Sequence, residues 1–227
     1  MRAALAPGLG SILLINPNTS TRTTAMMVEI AQAAAGAAGA VRGVTASVGV
    51  PMIVNEEELA ASAPEVLRIA RQEGPGISGI IVSAFGDPGL DLIRNELTAP
   101  AVGLCEASMR EASIGARRFG VATVTPGLAG AIGRKAAGLG LGALYAGIRL
   151  TEGDPRELAA DPVRLEEALA GAVEACIRLD GAEAVIIGGG PLGQAASALG
   201  PRFRVPIIAP IAAATACLLR ELAIFAA

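Results

Sequence analysis

Short apolar runs alternate along the chain with longer segments in which apolar residues recur at helical spacing. The runs are apolar on both faces and are bounded by Gly, Pro, Asn or Asp, which is typical of strands buried under helices. They predict strands at Ile12–Ile15, Val41–Val48, Gly79–Ser83, Ala101–Cys105, Gly120–Val124, Tyr145–Leu150, Ala184–Ile187 and Val205–Ile208. This alternation predicts an α/β fold with parallel sheets.

Three of the intervening segments carry clear helix signals. Thr19–Gly36 repeats its apolar residues near a period of 3.6. Glu56–Arg71 begins with three Glu and ends with Arg, which matches the helix dipole. Asp161–Leu179 begins with a capping Asp followed by Pro, a favoured first helical residue. Residues 1–9 precede the first predicted strand, and we expect them to be a frayed extension.

The loop chemistry repeats within the chain. Polar loops follow the first strand at Asn16 and the fifth strand at Thr123, and Gly/Pro loops follow the third strand near Ala84 and the seventh near Gly189. The two pairs have nearly the same separation, which indicates an internal duplication rather than a chance recurrence of strand–helix units. We therefore predict two pseudo-symmetric halves, each a parallel sheet flanked by helices, with a ligand cleft between them.

The predicted division assigns residues 1–105 and 210–227 to the first α/β domain. Residues 106–209 form the second. Each domain then has about 100 residues, an ordinary domain size.

Composition narrows the possible functions. The 227 residues include no His, which excludes catalytic or metal-binding schemes that use imidazole. The net charge is −3 and aromatic residues make up 2%, so neither a basic stripe nor a stacking surface for nucleic acid is expected. No apolar run is long enough to predict a membrane span. Three separated Cys and no apparent secretory leader predict reduced thiols and a cytoplasmic protein.

Three loops carry the candidate chemistry. The loop that begins at Asn16 places amide and hydroxyl groups at a helix N-terminus, a ready site for an anion. In the Ser83–Gly89 loop, Asp87 and Pro88 are explained as a helix cap and first helical residue, whereas Phe85 could line a pocket. The Gly188–Pro191 loop permits close approach of a ligand, but it is not a dinucleotide fingerprint, and no phosphate-binding GxxxxGK[ST] sequence occurs.

Cys105, at the predicted end of the fourth strand and followed by Glu106, has two interpretations. A thiol before a helix could have a lowered pKa, or it could be a small buried apolar residue. We favour the second. Cys176 and Cys217 also fit apolar helix faces.

The motifs Ile15-Asn16-Pro17-Asn18-Thr19-Ser20, Phe85-Gly86-Asp87-Pro88-Gly89-Leu90 and Val185-Ile186-Ile187-Gly188-Gly189-Gly190 resemble the Asp/Glu/hydantoin racemase superfamily, and most closely its hydantoin and allantoin racemase branch. The resemblance runs from Ser11 over nearly the whole chain. It implies cofactor-free proton transfer at an acidic carbon, between two Cys that face each other across the substrate.

This chain departs from that pattern at both catalytic positions, which are Ala84 and Gly189. We favour a divergent natural branch, with no catalytic residue assigned. Ser83, Cys105, Glu106 and Asp87 are the nearest groups that could substitute for the thiols. The expected substrate-binding residues are Asn16, Ser83, Phe85, Gly86, Thr123, Thr125, Gly190 and Pro191.

The resemblance leaves more than one function open. The chain is either a racemase or isomerase acting on a small carboxylate, hydantoin or ureide, or a non-catalytic protein that binds a small anion. A related lyase or decarboxylase is a third possibility. We expect no cofactor or metal, a small anionic or hydantoin-like ligand, no nucleic-acid or membrane partner, and a homo-oligomer.

Overall fold

The computed structural model describes residues 10–225, apart from the side chains of Ala159, Pro191, Ile224 and Phe225. The expected frayed extension at residues 1–9 lies outside this part of the chain. The first half contains β1 Ile12–Asn16, α1 Thr21–Ala35, β2 Val41–Thr45, α2 Glu56–Glu73, β3 Gly79–Val82, α3 Leu90–Glu96, β4 Ala101–Gly103 and α4 Leu104–Ala112.

The second half repeats the alternation and is followed by a long final helix. Its elements are β5 Phe119–Thr123, α5 Ala129–Gly138, β6 Tyr145–Leu150, α6 Pro155–Ala160, α7 Pro162–Arg178, β7 Ala184–Ile187, α8 Gly193–Leu199, β8 Ile207–Ile208 and α9 Pro210–Phe225. No helix of the described residues combines the length and apolar composition needed to cross a membrane.

The two halves contain four-stranded parallel sheets of the same topology. The strand orders are β2-β1-β3-β4 and β6-β5-β7-β8. In each sheet the chain changes direction between the two central strands, so their carboxyl ends open into a crevice where α/β proteins bind ligands. The predicted α/β class with two similar halves is therefore confirmed.

Alternate residues of the central strands belong to different cores. On β1, Ile12 and Leu14 join a cluster that also contains Phe119 and Val121 of β5, so this core is common to both halves. Leu13 of β1 faces the opposite side and packs with residues of the first half. The period of two that defines a strand thus places one sheet face toward the other half and one toward the outer helices.

The final helix α9 returns to the first half, where it packs against α1, α4, β3 and β4. The domain division predicted from the sequence remains a prediction, because the core shared between the halves crosses any such boundary.

Several element ends differ from the predicted ones. The second strand ends at Thr45, because its ladder partner β1 ends at Asn16. The eighth strand begins only at Ile207, directly after Pro206, which has no N–H to donate.

The fourth strand ends at Gly103, and Cys105 lies in helix α4 instead of at a strand end. The cause is Asp87, whose carboxylate accepts the N–H groups of Cys105 and Glu106 at 2.8 and 2.9 Å and so begins this helix. The sequence predicted that Asp87 and Pro88 start α3, and this prediction is wrong. That helix begins at Leu90, after Gly89 in a left-handed conformation.

Candidate functional site

A cavity lies at the carboxyl ends of the four central strands, where the two halves meet. We call it the cleft cavity. It has about 520 Å³ of empty space, including the part open to solvent. Its lining residues are Asn18, Met52, Ile53, Leu59, Ser83, Ala84, Phe85, Val124, Thr125, Leu128, Gly188, Gly189, Gly190 and Leu192. The turns after β1, β3, β5 and β7 all contribute, as the duplicated loop chemistry predicted.

The turn after β1 presents Asn18 to the cavity and keeps Asn16 behind it. Asn16 is fully buried, and its Nδ2 donates to Asn18 Oδ1 and to Thr24 Oγ1, both at 2.9 Å. Asn18 Oδ1 also accepts the N–H of Ser20 at 2.9 Å. Because the oxygen of Asn18 is engaged within the protein, its Nδ2 group is the part that can donate to a ligand.

Two hydroxyls fix the ends of the central strands. In the first half, Ser83 Oγ donates to the carbonyl of Ile15 at 2.7 Å. In the second half, Thr123 Oγ1 donates to the carbonyl of Gly188 at 2.5 Å, and it lies 3.2 Å from Thr125 Oγ1. Each hydroxyl joins the two central strands of its sheet, so these hydrogen bonds hold the strand ends together at the floor of the cavity.

Main-chain amides border the cavity in the turns after β3 and β7. In the described part of the chain, four N–H groups of these turns donate to a main-chain carbonyl. They belong to Ser83, Asp87, Gly188 and Leu192. Among the residues that the structure describes, the N–H groups of Ala84, Phe85 and Gly189 therefore have no main-chain acceptor. Amides left in this way are available to a carbonyl or carboxylate oxygen.

The Gly-rich turn also allows the halves to pack closely. A Cβ on Gly188 would lie 3.2 Å from Phe85 Cε1, and one on Gly190 would lie 3.1 Å from the carbonyl oxygen of Ser83. A side chain at either position would thus clash with protein atoms. The glycines are needed for this close packing and not only for the approach of a ligand.

Five of the expected substrate-binding residues lie at the site, and four of them line the cavity. Ser83, Phe85, Thr125 and Gly190 line the cavity, whereas Thr123 lies behind it. Asn16 and Gly86 are also not among the lining residues, and the side chain of Pro191 lies outside the described part of the chain. Sequence reasoning missed the apolar walls, which carry no signal that separates them from ordinary core residues.

The loop at residues 46–55, which we call the 46–55 loop, connects β2 to α2 and closes one side of the cavity. Met52 packs against the core of the second half, and Asn55 forms an isolated parallel bridge with Gly127. Gly127 must be small here, because a Cβ would lie 2.6 Å from the carbonyl oxygen of Val54. The loop belongs to the first half but is held by the second.

A buried ion pair joins the halves next to the site. Asp87 Oδ2 lies 3.1 Å from Lys135 Nζ of α5, and the Asp87 side chain is fully buried. Burial raises the pKa of the Asp87 carboxyl, against the opposing effects of Lys135 and two main-chain amides. Burial alone would lower the pKa of Lys135, but the Asp87 carboxylate raises it above its usual value.

The three thiols lie away from the cavity. Burial raises the pKa of Cys105 well above its usual value, that of Cys176 to about 12, and that of Cys217 as well. All three stay protonated at neutral pH, and the interpretation of Cys105 as a core residue agrees with its burial.

The cleft cavity has a distinct chemical character. Among the described residues that line it, none has a carboxylate, ammonium, guanidinium, thiol or phenol group. Its polar groups are the amide of Asn18, the hydroxyls of Ser83 and Thr125, and main-chain N–H and C=O groups. Within the described part of the chain, no three His, Cys, Asp or Glu side chains are grouped in a way that could hold a metal ion.

Comparison with known proteins agrees with this architecture. The family model described as Asp/Glu/Hydantoin racemase matches residues 12–218. The hydantoin racemase of Pseudomonas sp. (strain NS671) is 29% identical over 87% of this chain and 80% of its own length. The hydantoin racemase of Rhizobium meliloti is 29% identical over 89% of this chain and 85% of its own length.

A solved structure extends the likeness to three dimensions. The allantoin racemase from Klebsiella pneumoniae has a TM-score of 0.88 at 27% identity, covering 95% of this chain and 88% of its own. The residues matched by the family model include both sheets and the first part of α9. The chain belongs to the Asp/Glu/hydantoin racemase family, within the branch of the hydantoin and allantoin racemases.

Proposed function

We propose that this chain is a non-catalytic protein that binds a small hydantoin-like or ureide molecule in the cleft cavity. The observation that carries this proposal is that Ala84 and Gly189 border the cavity, one from each half, without an ionisable side chain beside them. Transfer of a proton at carbon by general acid and base groups needs partners whose pKa lies near the working pH. An alanine methyl and a glycine supply none.

The neutral polar groups of the cavity favour an uncharged cyclic amide over a free carboxylate. A buried carboxylate needs a cation or several donors to offset its loss of hydration. No cationic side chain is among the lining residues, whereas Asn18 and the main-chain amides match the carbonyl oxygens of a hydantoin ring. The names of the relatives, hydantoin racemase and allantoin racemase, point to the same chemical class.

The apolar walls suit a small planar ring. Phe85, Leu59 and Leu128 provide contact area, while the hydroxyls of Ser83 and Thr125 can accept hydrogen bonds from ring N–H groups. A decarboxylase is less well supported than a binding protein, because the carbanion it forms must be protonated and none of the described lining residues is an acidic donor.

Calorimetry and proton exchange together test the proposal. We expect 5-methylhydantoin to bind in a calorimetric titration, and its C5–H signal in D2O to disappear no faster with the protein than in buffer alone. Absence of binding for hydantoin, 5-methylhydantoin and allantoin would overturn the ligand class. Exchange clearly faster than in the buffer blank would overturn the non-catalytic part.

A thiol introduced at Ala84 tests the geometry of the site. The Ala84→Cys variant should accelerate the loss of the C5–H signal at least about tenfold, because a placed acid–base group typically contributes about 10²-fold or more. Ala84→Ser is the matched control, since it has similar size and a hydroxyl that does not ionise near neutral pH. Equal rates for the two variants would show that this position does not face C5.

A further inference from the structure

One ion pair connects two turns that line the cleft cavity from different halves. Asp87 closes the turn after β3, where its N–H donates to the carbonyl of Ala84 at 3.1 Å. Lys135 lies on α5, which directly follows the turn after β5. In that turn the N–H of Leu128 donates to the carbonyl of Thr125 at 3.2 Å. Ala84, Thr125 and Leu128 line the cavity, and neither member of the ion pair is among the described lining residues.

Lys135 reaches the first half because of its position on α5. It follows the buried Leu128 and Ile132 at the spacings that place residues on one face of a helix. Its Nζ lies 3.1 Å from Asp87 Oδ2, and its side chain is 21% exposed. Arg134, the preceding residue, also pairs with a carboxylate of the first half, but its side chain is 68% exposed. The Lys135 pair is therefore the one that solvent screens less.

The Asp87 carboxylate is held firmly on the first-half side of this pair. Its two oxygens accept the N–H groups of Cys105 and Glu106, and a Cβ on Gly103 would lie 2.2 Å from its Cγ. A cation bonded to a group held in this way fixes the position of one half relative to the other at this point. Without Lys135 the buried carboxylate would lose its charge partner, so we expect the turn after β3 to rearrange and hydrate it.

We propose that Lys135 is a positioning residue for ligand binding. Through Asp87 it holds the main-chain amides of Ala84 and Phe85 at the distance from the turn after β5 that lets a small ring contact both halves. This inference rests on the proposed function, because it concerns the ligand of the cleft cavity. It gives a role in binding to a side chain that does not line the cavity.

Chemical labelling tests the inference without any mutation, because Lys135 is the one Lys of the sequence. If the ion pair favours the bound ligand, the bound ligand must favour the ion pair to the same extent. We expect saturating 5-methylhydantoin to slow acetylation of the Lys135 amine by an N-hydroxysuccinimide ester about fivefold, as measured by peptide mass spectrometry. Free Nα-acetyllysine in the same solution controls for an effect of the compound on the reagent. An unchanged rate in a protein that binds 5-methylhydantoin would overturn the inference.

Three variants separate positioning from stability. Lys135→Met removes the charge at similar side-chain length and should weaken binding of 5-methylhydantoin about tenfold in calorimetric titrations. Lys135→Arg keeps the positive charge and should bind within about threefold of the wild-type protein. Ile69→Ala removes a buried side chain from the outer core of the first half, so it loses stability without touching the site and should bind normally.

The outcomes distinguish the inference from the proposed function. Normal affinity of Lys135→Met would overturn the inference, and so would equal weakening in Lys135→Met and Lys135→Arg, because charge would then play no part. Equal weakening in Lys135→Met and Ile69→Ala would overturn it as well, because lost stability would explain both. If Lys135→Met does not fold, the labelling of the wild-type protein decides. Absence of binding to the wild-type protein would instead overturn the proposed function.

Discussion

Asp87 shows how one side chain can stabilise several parts of this site. It has a φ of 54°, in the left-handed region that is uncommon for residues other than glycine. Its carboxylate bonds the N-terminus of α4 and Lys135 of the other half, and both bonds lie in a buried environment. These interactions outweigh the backbone strain and fix the turn that carries Ala84 and Phe85.

Removing the charge of Asp87 should therefore be costly. Asp87→Asn leaves Lys135 without its buried partner, and we expect the free energy of unfolding to fall by roughly 2–4 kcal/mol in urea titrations. Arg134→Gln is the matched control, because it breaks the pair with Glu56, which also joins the halves but is exposed. That change should cost less than about 1 kcal/mol. Equal losses would contradict the importance of burial.

Glu65 gives a prediction for acid conditions. Its carboxylate accepts hydrogen bonds from Arg68 Nε at 2.5 Å and from the N–H and hydroxyl of Ser47 at 3.0 and 2.8 Å. The bond with Arg68, against the opposing effect of burial and with further help from Ser47, lowers the pKa of Glu65 from 4.5 to about 2. Its contribution to stability is thus fully present above pH 4.5 and is lost as the pH falls toward 2.

The Glu65→Gln variant removes this contribution. Its urea midpoint should lie below that of the wild-type protein at neutral pH, and the difference should shrink as the solution is acidified. Glu29→Gln, at an exposed position in the middle of α1, is the control and should follow the wild-type curve. A difference that is constant over the acid range would argue against an ionised Glu65.

At the level of secondary-structure elements, the junction between β4 and α4 depends on Gly103. A Cβ at this position would lie 2.2 Å from Asp87 Cγ and 2.3 Å from Oδ1, and the buried Asp87 cannot move away. Gly103→Ala should therefore destabilise the protein by roughly 1–3 kcal/mol in thermal or urea unfolding.

Gly171 is the matched position for this test. It lies in the interior of α7 and is exposed, and a Cβ at this position would meet no neighbouring side chain within 4 Å. Alanine is the better helix former, so Gly171→Ala should stabilise the protein by up to about 1 kcal/mol. Destabilisation by both substitutions would show that crowding is not the reason for Gly103.

Elements that depend on local patterns were predictable from the sequence. The apolar run of β7 and the Asp161 cap of α7 are both local, and the structure has β7 at the predicted Ala184–Ile187 and Asp161 as the N-cap. The role of Asp87 was not predictable, because its partners at Cys105 and Lys135 are brought near only by the fold. For the same reason Met52 and Leu192 resembled ordinary core residues, although they line the cleft cavity.

At the level of the whole molecule, the halves share a hydrophobic core. The cluster that contains Ile12 and Leu14 of β1 continues into Phe119 of β5 and Leu218 of α9. Asp87–Lys135 and the bridge from Asn55 to Gly127 join the halves at the cleft as well. A half separated from the other would expose this core to water.

The halves should therefore unfold together. The sequence has one Tyr and no Trp, so the fluorescence of Tyr145 in β6 reports the second half selectively. We expect its urea midpoint to coincide with that of far-UV circular dichroism, which reports both halves. Two separated midpoints would mean that the shared core does not couple them.

The hydrogen bonds donated by the hydroxyls of Ser83 and Thr123 affect which positions can change ligand specificity during evolution. Strand ends that are joined by their own hydrogen bonds do not rearrange easily around a larger ligand. Substitutions that change which ligand is bound are then expected at lining side chains outside these strands, such as Leu59 and Leu128. Related sequences can then differ in ligand specificity while the strand ends beneath the ligand keep the same structure.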